Sequence, residues 1–146
     1  MEPNYLLGRT TIAQVEIERG NFDRALAEYD AALRLTTDVE AVNVLAGRAL
    51  AQARARRVDE AKATLRVVDS LTRTYSPTAI HTAVYIAQAY AALRDVNHAV
   101  SWLTRYPTQR DLHYQLHLRC DPPFAPIAKD RRFQALLIQP PRGGGC

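Results

Sequence analysis

The sequence predicts an all-α chain that folds as an α-solenoid of three helix hairpins. Alanine, leucine, arginine and glutamate are abundant, and glycine is scarce before residue 143, which favours helices. Residues 20–35 have the pattern of a helix end, a tight turn and a new helix. The same turn pattern recurs twice further along the chain, at intervals typical of stacked repeats.

The turn that follows residue 19 is the clearest of the three. Gly20 is predicted to take the left-handed conformation that closes a helix. Asp23 is predicted to cap the next helix by accepting from its free N–H groups. Apolar side chains then recur at steps of three and four residues, namely Ala25, Leu26, Tyr29, Ala32 and Leu33. The small alanines on this face allow a second helix to approach closely.

Two later segments repeat this turn. Residues 58–61 and 96–99 each carry an apolar residue, a capping residue, any residue and then alanine, as residues 22–25 do. Asp59 and Asn97 stand at the capping position of these copies. The alanines of successive copies are 36 and 38 residues apart. Such a self-similar period is typical of a solenoid, in which each hairpin buries its apolar face against the next.

At these turns the chain resembles the tetratricopeptide repeat family. That family repeats a unit of about 34 residues with Gly-x-aromatic-Asp-x-Ala between its two helices, and residues 20–35 match the pattern closely. The later copies match less well, because Val68 and Tyr106 stand where the first copy has Ala32. The resemblance implies a right-handed superhelix in which the first helix of each pair lines a concave groove.

The predicted organisation is one domain with a short tail. The domain spans residues 1–138, with repeats at about 4–36, 37–75 and 76–106, a cap at 107–138 and a disordered tail at 139–146. Thr37 and Glu40 form a predicted capping box before the third helix. Gly47 lies inside that helix, where we expect it to serve close packing. Pro77 opens the fifth helix, and Pro107 ends or kinks the sixth.

The segment after residue 107 is too rich in proline for another hairpin, and we expect only a short last helix, capped by Asp130. It resembles the end of bacterial repeat domains that follow a protein kinase, nucleotide cyclase or winged-helix regulator domain. Those domains finish with Trp-Leu, Asp-Pro-x-Phe-x-Pro-Leu and Asp-Pro-Arg-Phe-x-x-Leu-Leu. The matching stretches here are Trp102-Leu103, residues 121–127 and residues 130–137, with Arg131 in place of the usual proline. The resemblance implies a segment that covers the open end of the solenoid.

The composition narrows the function classes. A chain of 146 residues with 47% apolar content is expected to form one domain with a sizeable core. Its 19 basic and 15 acidic residues are scattered, whereas nucleic-acid binding requires a clustered basic face. It has no apolar run of 18 residues and no signal segment. We therefore expect a cytoplasmic protein that binds neither nucleic acid nor membrane.

We expect no catalytic residue, cofactor or metal site. The sequence has no Gly-rich phosphate loop and no Gly-x-Ser-x-Gly elbow, and His81 has no acid placed to orient it. His113, His117 and Cys120 have the spacing of one side of a helix. Asp121 is then a candidate fourth zinc ligand. Because a continuous helix is not expected there, half-exposed histidines are favoured over zinc ligands.

The resemblance to the repeat family places a groove along the first helix of each pair. The family's groove-facing positions correspond to Leu7, Thr10, Gln14, Glu18, Val44, Arg48, Gln52, His81, Val84 and Gln88. The candidate partner-binding residues among them are Thr10, Gln14, Glu18, Arg48, Gln52, His81 and Gln88. Gln14, Arg48 and Gln88 are expected at equivalent places, as a polar ladder for a peptide backbone. Ordinary solvated polar residues explain the same pattern equally well.

Three functions fit these observations. The first is a non-catalytic interaction module that binds a peptide or a partner protein in the groove. The second is the regulatory or sensory C-terminal region of a bacterial signalling enzyme or transcriptional regulator, which rests on the terminal resemblance. The third is a structural homodimer formed through the concave faces. Chaperone-tail capture is disfavoured, because only Arg48 matches the lysines and asparagines of the family's carboxylate clamp.

Overall fold

A computed structural model describes residues 4–74, 80–105 and 111–138. In these ranges the chain forms α1 (Asn4–Glu18), α2 (Phe22–Leu33), α3 (Asp38–Arg54), α4 (Val58–Thr74), α5 (Ile80–Ala92), α6 (Val96–Thr104), α7 (Leu112–Cys120), a 3-10 helix (Pro122–Ile127) and α8 (Arg131–Gln134). These ranges contain no strand, and the predicted all-α class is confirmed. The predictions for Pro77, Tyr106, Pro107 and the tail at 139–146 lie outside the described residues.

The helices pack in sequence order. α1 packs on α2, α3 on α4 and α5 on α6, and α3 also contacts both α2 and α5. The predicted close-packing alanines, Ala25, Ala61 and Ala99, are all fully buried. Within the described ranges, no helix has both the length and the apolar character needed to cross a membrane.

The turns inside the three helix pairs share one backbone geometry. Their left-handed residues are Gly20, Arg56 and Arg94, with φ of +77°, +64° and +61°. In each turn the next N–H donates to the carbonyl five residues earlier, which is the Schellman pattern. These bonds run from Asn21 to Glu16, from Arg57 to Gln52 and from Asp95 to Tyr90, at 2.8, 2.9 and 2.9 Å. The conformation predicted for Gly20 is confirmed, and arginine takes it in the other two turns.

The capping residues predicted at these turns are wrong by two positions. The helices begin at Phe22, Val58 and Val96, so Asp23, Asp59 and Asn97 lie inside the first turn. α6 is instead capped by Asp95, whose carboxylate accepts from the His98 N–H at 3.1 Å. At the equivalent place in the first turn, the Asn21 amide donates to Glu16 at 2.7 Å. The two first-turn aspartates still favour their helices through the helix dipole.

Three other local predictions are confirmed. The Glu40 carboxylate accepts from the Thr37 N–H at 3.2 Å, as a capping box requires. Gly47 serves packing, because a Cβ at this position would lie 2.5 Å from Cζ and Oη of Tyr29. The carboxylate of Asp130 accepts a backbone N–H of α8 at 2.8 Å and so caps that helix.

The continuous helix α7 corrects the sequence analysis, which expected none at residues 112–120. The apolar residues Leu112, Tyr114, Leu116 and Leu118 alternate with polar ones, which is the pattern of a strand. In the structure only Tyr114 and Leu118 are buried, one turn apart, and the two leucines between and before them are exposed. The exposed leucines therefore hid the helical period.

The C-terminal segment packs on the last helix pair. The 3-10 helix contacts α5, and α8 contacts α6. Phe124 and Phe133 are buried, and their rings stack with centroids 5.3 Å apart. Hydrogen bonds from the side chain and backbone N–H of Arg132 lower the pKa of Asp130 to about 2. This segment brings Asp121 and the following prolines next to the first helices of the pairs.

Candidate ligand-binding groove

An open, mostly apolar cavity of about 680 Å³ lies between the first helices of the pairs and the C-terminal segment. From the helices α1, α3 and α5 it is lined by Leu7, Thr11, Gln14, Asn43, Gly47, Leu50, Tyr85 and Gln88, among others. From the C-terminal segment it is lined by His117, Asp121, Pro122 and Pro123. A cavity of this size and apolar character is typical of ligand sites.

The lining residues of the three first helices occupy equivalent positions. Measured from the left-handed residue of each turn, Leu7 corresponds to Asn43, Thr11 to Gly47 and Tyr85, and Gln14 to Leu50 and Gln88. Within each helix these positions are three or four residues apart and share one face. One face of each first helix therefore points at the same cavity.

Four of the seven candidate residues, Thr10, Gln14, Glu18 and Gln88, line this cavity. Gln14 is exposed there. The Thr10 hydroxyl donates to carbonyl groups of its own helix, at 3.0 and 3.2 Å. Glu18 forms an ion pair with Arg54 across α1 and α3 at 3.0 Å. Of the four, Gln14 thus has the side chain most available to a ligand.

Gln88 is buried by the C-terminal segment. Its amide donates to the Asp121 carboxylate at 2.7 Å, and only 6% of the residue is exposed. The same carboxylate oxygen lies 2.8 Å from Nδ1 of His117. The chain itself therefore occupies the α5 part of the groove, and the part beside α1 and α3 is open.

Arg48 and Gln52 do not line the cavity. Arg48 forms an ion pair with Asp30 at 2.7 Å and donates to the Thr64 hydroxyl at 3.1 Å. That hydroxyl donates to the Gln52 amide oxygen at 2.8 Å, and Gln52 is almost fully buried. Both side chains therefore bind the second helices of the first two pairs. Of the apolar positions named with them, Val44 and Val84 are buried in the core.

The expected ladder of Gln14, Arg48 and Gln88 is wrong in its middle member. Arg48 follows Gln14 by 34 residues, which is the family period, whereas the first two turns are 36 residues apart. A shift of two residues rotates a side chain by about 200° around a helix, nearly to the opposite face. Leu50 takes the equivalent position, so the middle of the groove is apolar.

Tyr29 is a lining residue that the sequence analysis missed, because it belongs to a second helix. Its phenol occupies the space beside Gly47, and both residues line the cavity. Burial raises the pKa of the Tyr29 phenol, and the neighbouring Tyr85 phenol raises it further. The hydroxyl is therefore neutral at physiological pH. The glycine inside α3 was the sequence signal for this close approach.

His81 is exposed and lies beside the cavity, in a group of aromatic rings. Its ring is 5.4 Å from that of Tyr114 and 6.5 Å from that of His113, between centroids. On α7 the Nε2 atoms of His113 and His117 are 3.2 Å apart. Across the described ranges, no three or more histidine, cysteine or acidic side chains are placed to share one metal ion.

Comparison with protein-family models, with curated proteins and with solved structures finds no match to this chain.

Proposed function

We propose that the chain is a tetratricopeptide-like solenoid that binds a peptide or partner protein, without catalysis, in the cavity between its first helices. The single observation that carries this proposal is the equivalence of the lining positions in α1, α3 and α5. Three turns with the same hydrogen bonds support the repeat, and the contacts between successive pairs support their stacking.

The chemistry of the open part favours an extended segment of low charge. Gln14 and Asn43 are exposed at its edge, and a carboxamide can both donate to and accept from a peptide backbone. Leu50 and Pro123 supply apolar surface between them and the C-terminal segment. The Glu18 carboxylate at the edge is already paired with arginine, so no strong attraction for a charged group remains there.

The test is capture of partners by the wild-type chain, their identification by mass spectrometry and measurement of their affinity by calorimetry. In the groove variant, Gln14→Arg and Asn43→Arg place two bulky cations at the open edge. The control variant, Ala63→Arg with Ser70→Arg, adds the same charges at exposed positions of α4. We expect the groove variant to bind at least about tenfold more weakly and the control to bind as wild type. Equal binding by both variants would reject the groove.

The C-terminal segment favours a second candidate, the regulatory region of a bacterial signalling enzyme or transcriptional regulator. This candidate rests on the resemblance of residues 121–137 to the ends of such repeat domains, and the burial of Phe124 and Phe133 supports a structural role for that motif. The coding sequence upstream of residue 1 tests it. An in-frame kinase, cyclase or winged-helix segment would support this candidate, and an unrelated or absent reading frame would count against it.

A further inference from the structure

The two histidines of α7 have a geometry that groove binding does not use. His113 and His117 are one helical turn apart, and their Nε2 atoms are 3.2 Å apart. In a tetrahedral zinc site, each ligand nitrogen lies about 2.0–2.1 Å from the metal, which separates two such nitrogens by about 3.3 Å. The imidazole pair is therefore already near chelating distance. The continuity of α7 also removes the reason for which the sequence analysis discounted these residues.

Asp121 holds one member of this pair in the orientation that a metal requires. Its carboxylate lies 2.8 Å from Nδ1 of His117, and the Gln88 amide donates to the same oxygen at 2.7 Å. An imidazole that donates Nδ1–H to a carboxylate directs the lone pair of Nε2 away from that carboxylate. Metal-binding histidines are commonly oriented by such a carboxylate.

We propose that Nε2 of His113 and Nε2 of His117 together bind one divalent transition-metal ion of the class that prefers imidazole, such as Zn²⁺, Ni²⁺ or Cu²⁺. Water completes the coordination, because the His81 ring lies 6.5 Å from that of His113 and does not join the pair. Without metal, one Nε2–H donates to the other Nε2 across the same distance. Metal binding replaces this hydrogen bond, and the His113 proton then resides on Nδ1.

The test uses the full chain without an affinity tag, titrated by calorimetry with Zn²⁺ up to about 1 mM, because two protein ligands bind more weakly than a closed four-ligand site. We expect one Zn²⁺ per chain and a rise in melting temperature that equimolar Mg²⁺, which prefers oxygen ligands, does not cause. His113→Asn and His117→Asn should each weaken binding at least about tenfold, and Asp121→Asn by about 10–100-fold. His98→Asn is the matched control and should bind as wild type, since that exposed ring stacks on Tyr90 instead.

Copper supplies a second measurement that does not depend on the variants. The electron paramagnetic resonance spectrum of the wild-type chain with one equivalent of Cu²⁺ should show coupling to two imidazole nitrogens. Absence of saturable Zn²⁺ binding, unchanged affinity in His117→Asn, or coupling to fewer than two nitrogens would each overturn the proposal. Circular dichroism checks that each variant stays helical. If a variant unfolds, the copper spectrum of the wild-type chain decides the question.

Discussion

At the scale of single residues, the missing Cβ of Gly47 has the clearest physical consequence. Glycine inside a helix costs about 1 kcal/mol against alanine, so this position is unfavourable for α3 considered alone. The Tyr29 phenol fills the space that a side chain would take, and the ring is almost fully buried. Tight contact between α2 and α3 thus depends on this pair of residues.

We expect Gly47→Ala to lower the free energy of unfolding by about 1–3 kcal/mol, because the new Cβ meets ring atoms of Tyr29 at 2.5 Å and overpacks the core. Denaturant unfolding measures this change. Gly8→Ala is the matched control, because no heavy atom lies within 4 Å of a Cβ there, and it should stabilise α1 by up to about 1 kcal/mol. In a Tyr29→Leu background the penalty at Gly47 should shrink. A stabilising Gly47→Ala in the wild-type background would contradict the contact.

At the scale of elements, the three turns use one backbone geometry with different residues. Glycine takes the left-handed conformation without strain, whereas an L-residue pays about 1–2 kcal/mol for it. Arg56 and Arg94 are exposed, with φ of +64° and +61°. The last two turns are therefore less favourable locally than the first, and helix packing compensates for them.

Arg56→Gly should raise the free energy of unfolding by about 0.5–1 kcal/mol, since relief of the left-handed strain exceeds the entropy cost of glycine. Thermal or denaturant unfolding provides the measurement. Arg66→Gly, at an exposed position inside α4, should instead destabilise by up to about 1 kcal/mol. A loss of stability in both variants would mean that Arg56 makes interactions that outweigh its backbone strain.

The sequence could predict what depends on local patterns. The turn at Gly20, the capping box at Thr37 and the packing role of Gly47 each follow from neighbours in the chain or from one helical face. α7 was missed, because Leu112 and Leu116 are exposed and obscure the helical period. The groove register failed in α3, because the family period was applied where the chain has two extra residues.

At the scale of the whole molecule, the groove is shaped by contacts that no local pattern reveals. The hydrogen bond between Gln88 and Asp121 joins residues 33 positions apart. It forms because the 3-10 helix packs on α5 through buried Phe124 and Ile127. The C-terminal segment therefore both covers the last helix pair and supplies one wall of the cavity.

Removal of this anchor should loosen one end of the molecule first. Phe124→Ala deletes a buried ring that stacks on Phe133, and we expect a loss of about 3–5 kcal/mol. Hydrogen exchange should accelerate more in α5 and α6 than in α1 and α2, because only the last pair contacts the segment closely. Leu112→Ala, at a side chain that is 77% exposed, should change neither measurement. Uniform acceleration along the chain would instead indicate a single cooperative unit.

The carboxylate of Asp121 has two donors at one oxygen: the Gln88 amide on the groove side and the His117 imidazole on the outer side. A guest that draws Gln88 away would strengthen or weaken the remaining hold on that imidazole. Thermodynamic linkage then requires reciprocity, so an ion on the outer side alters the affinity of the guest by the same factor. A single acidic side chain would thus make two separate binding events aware of each other.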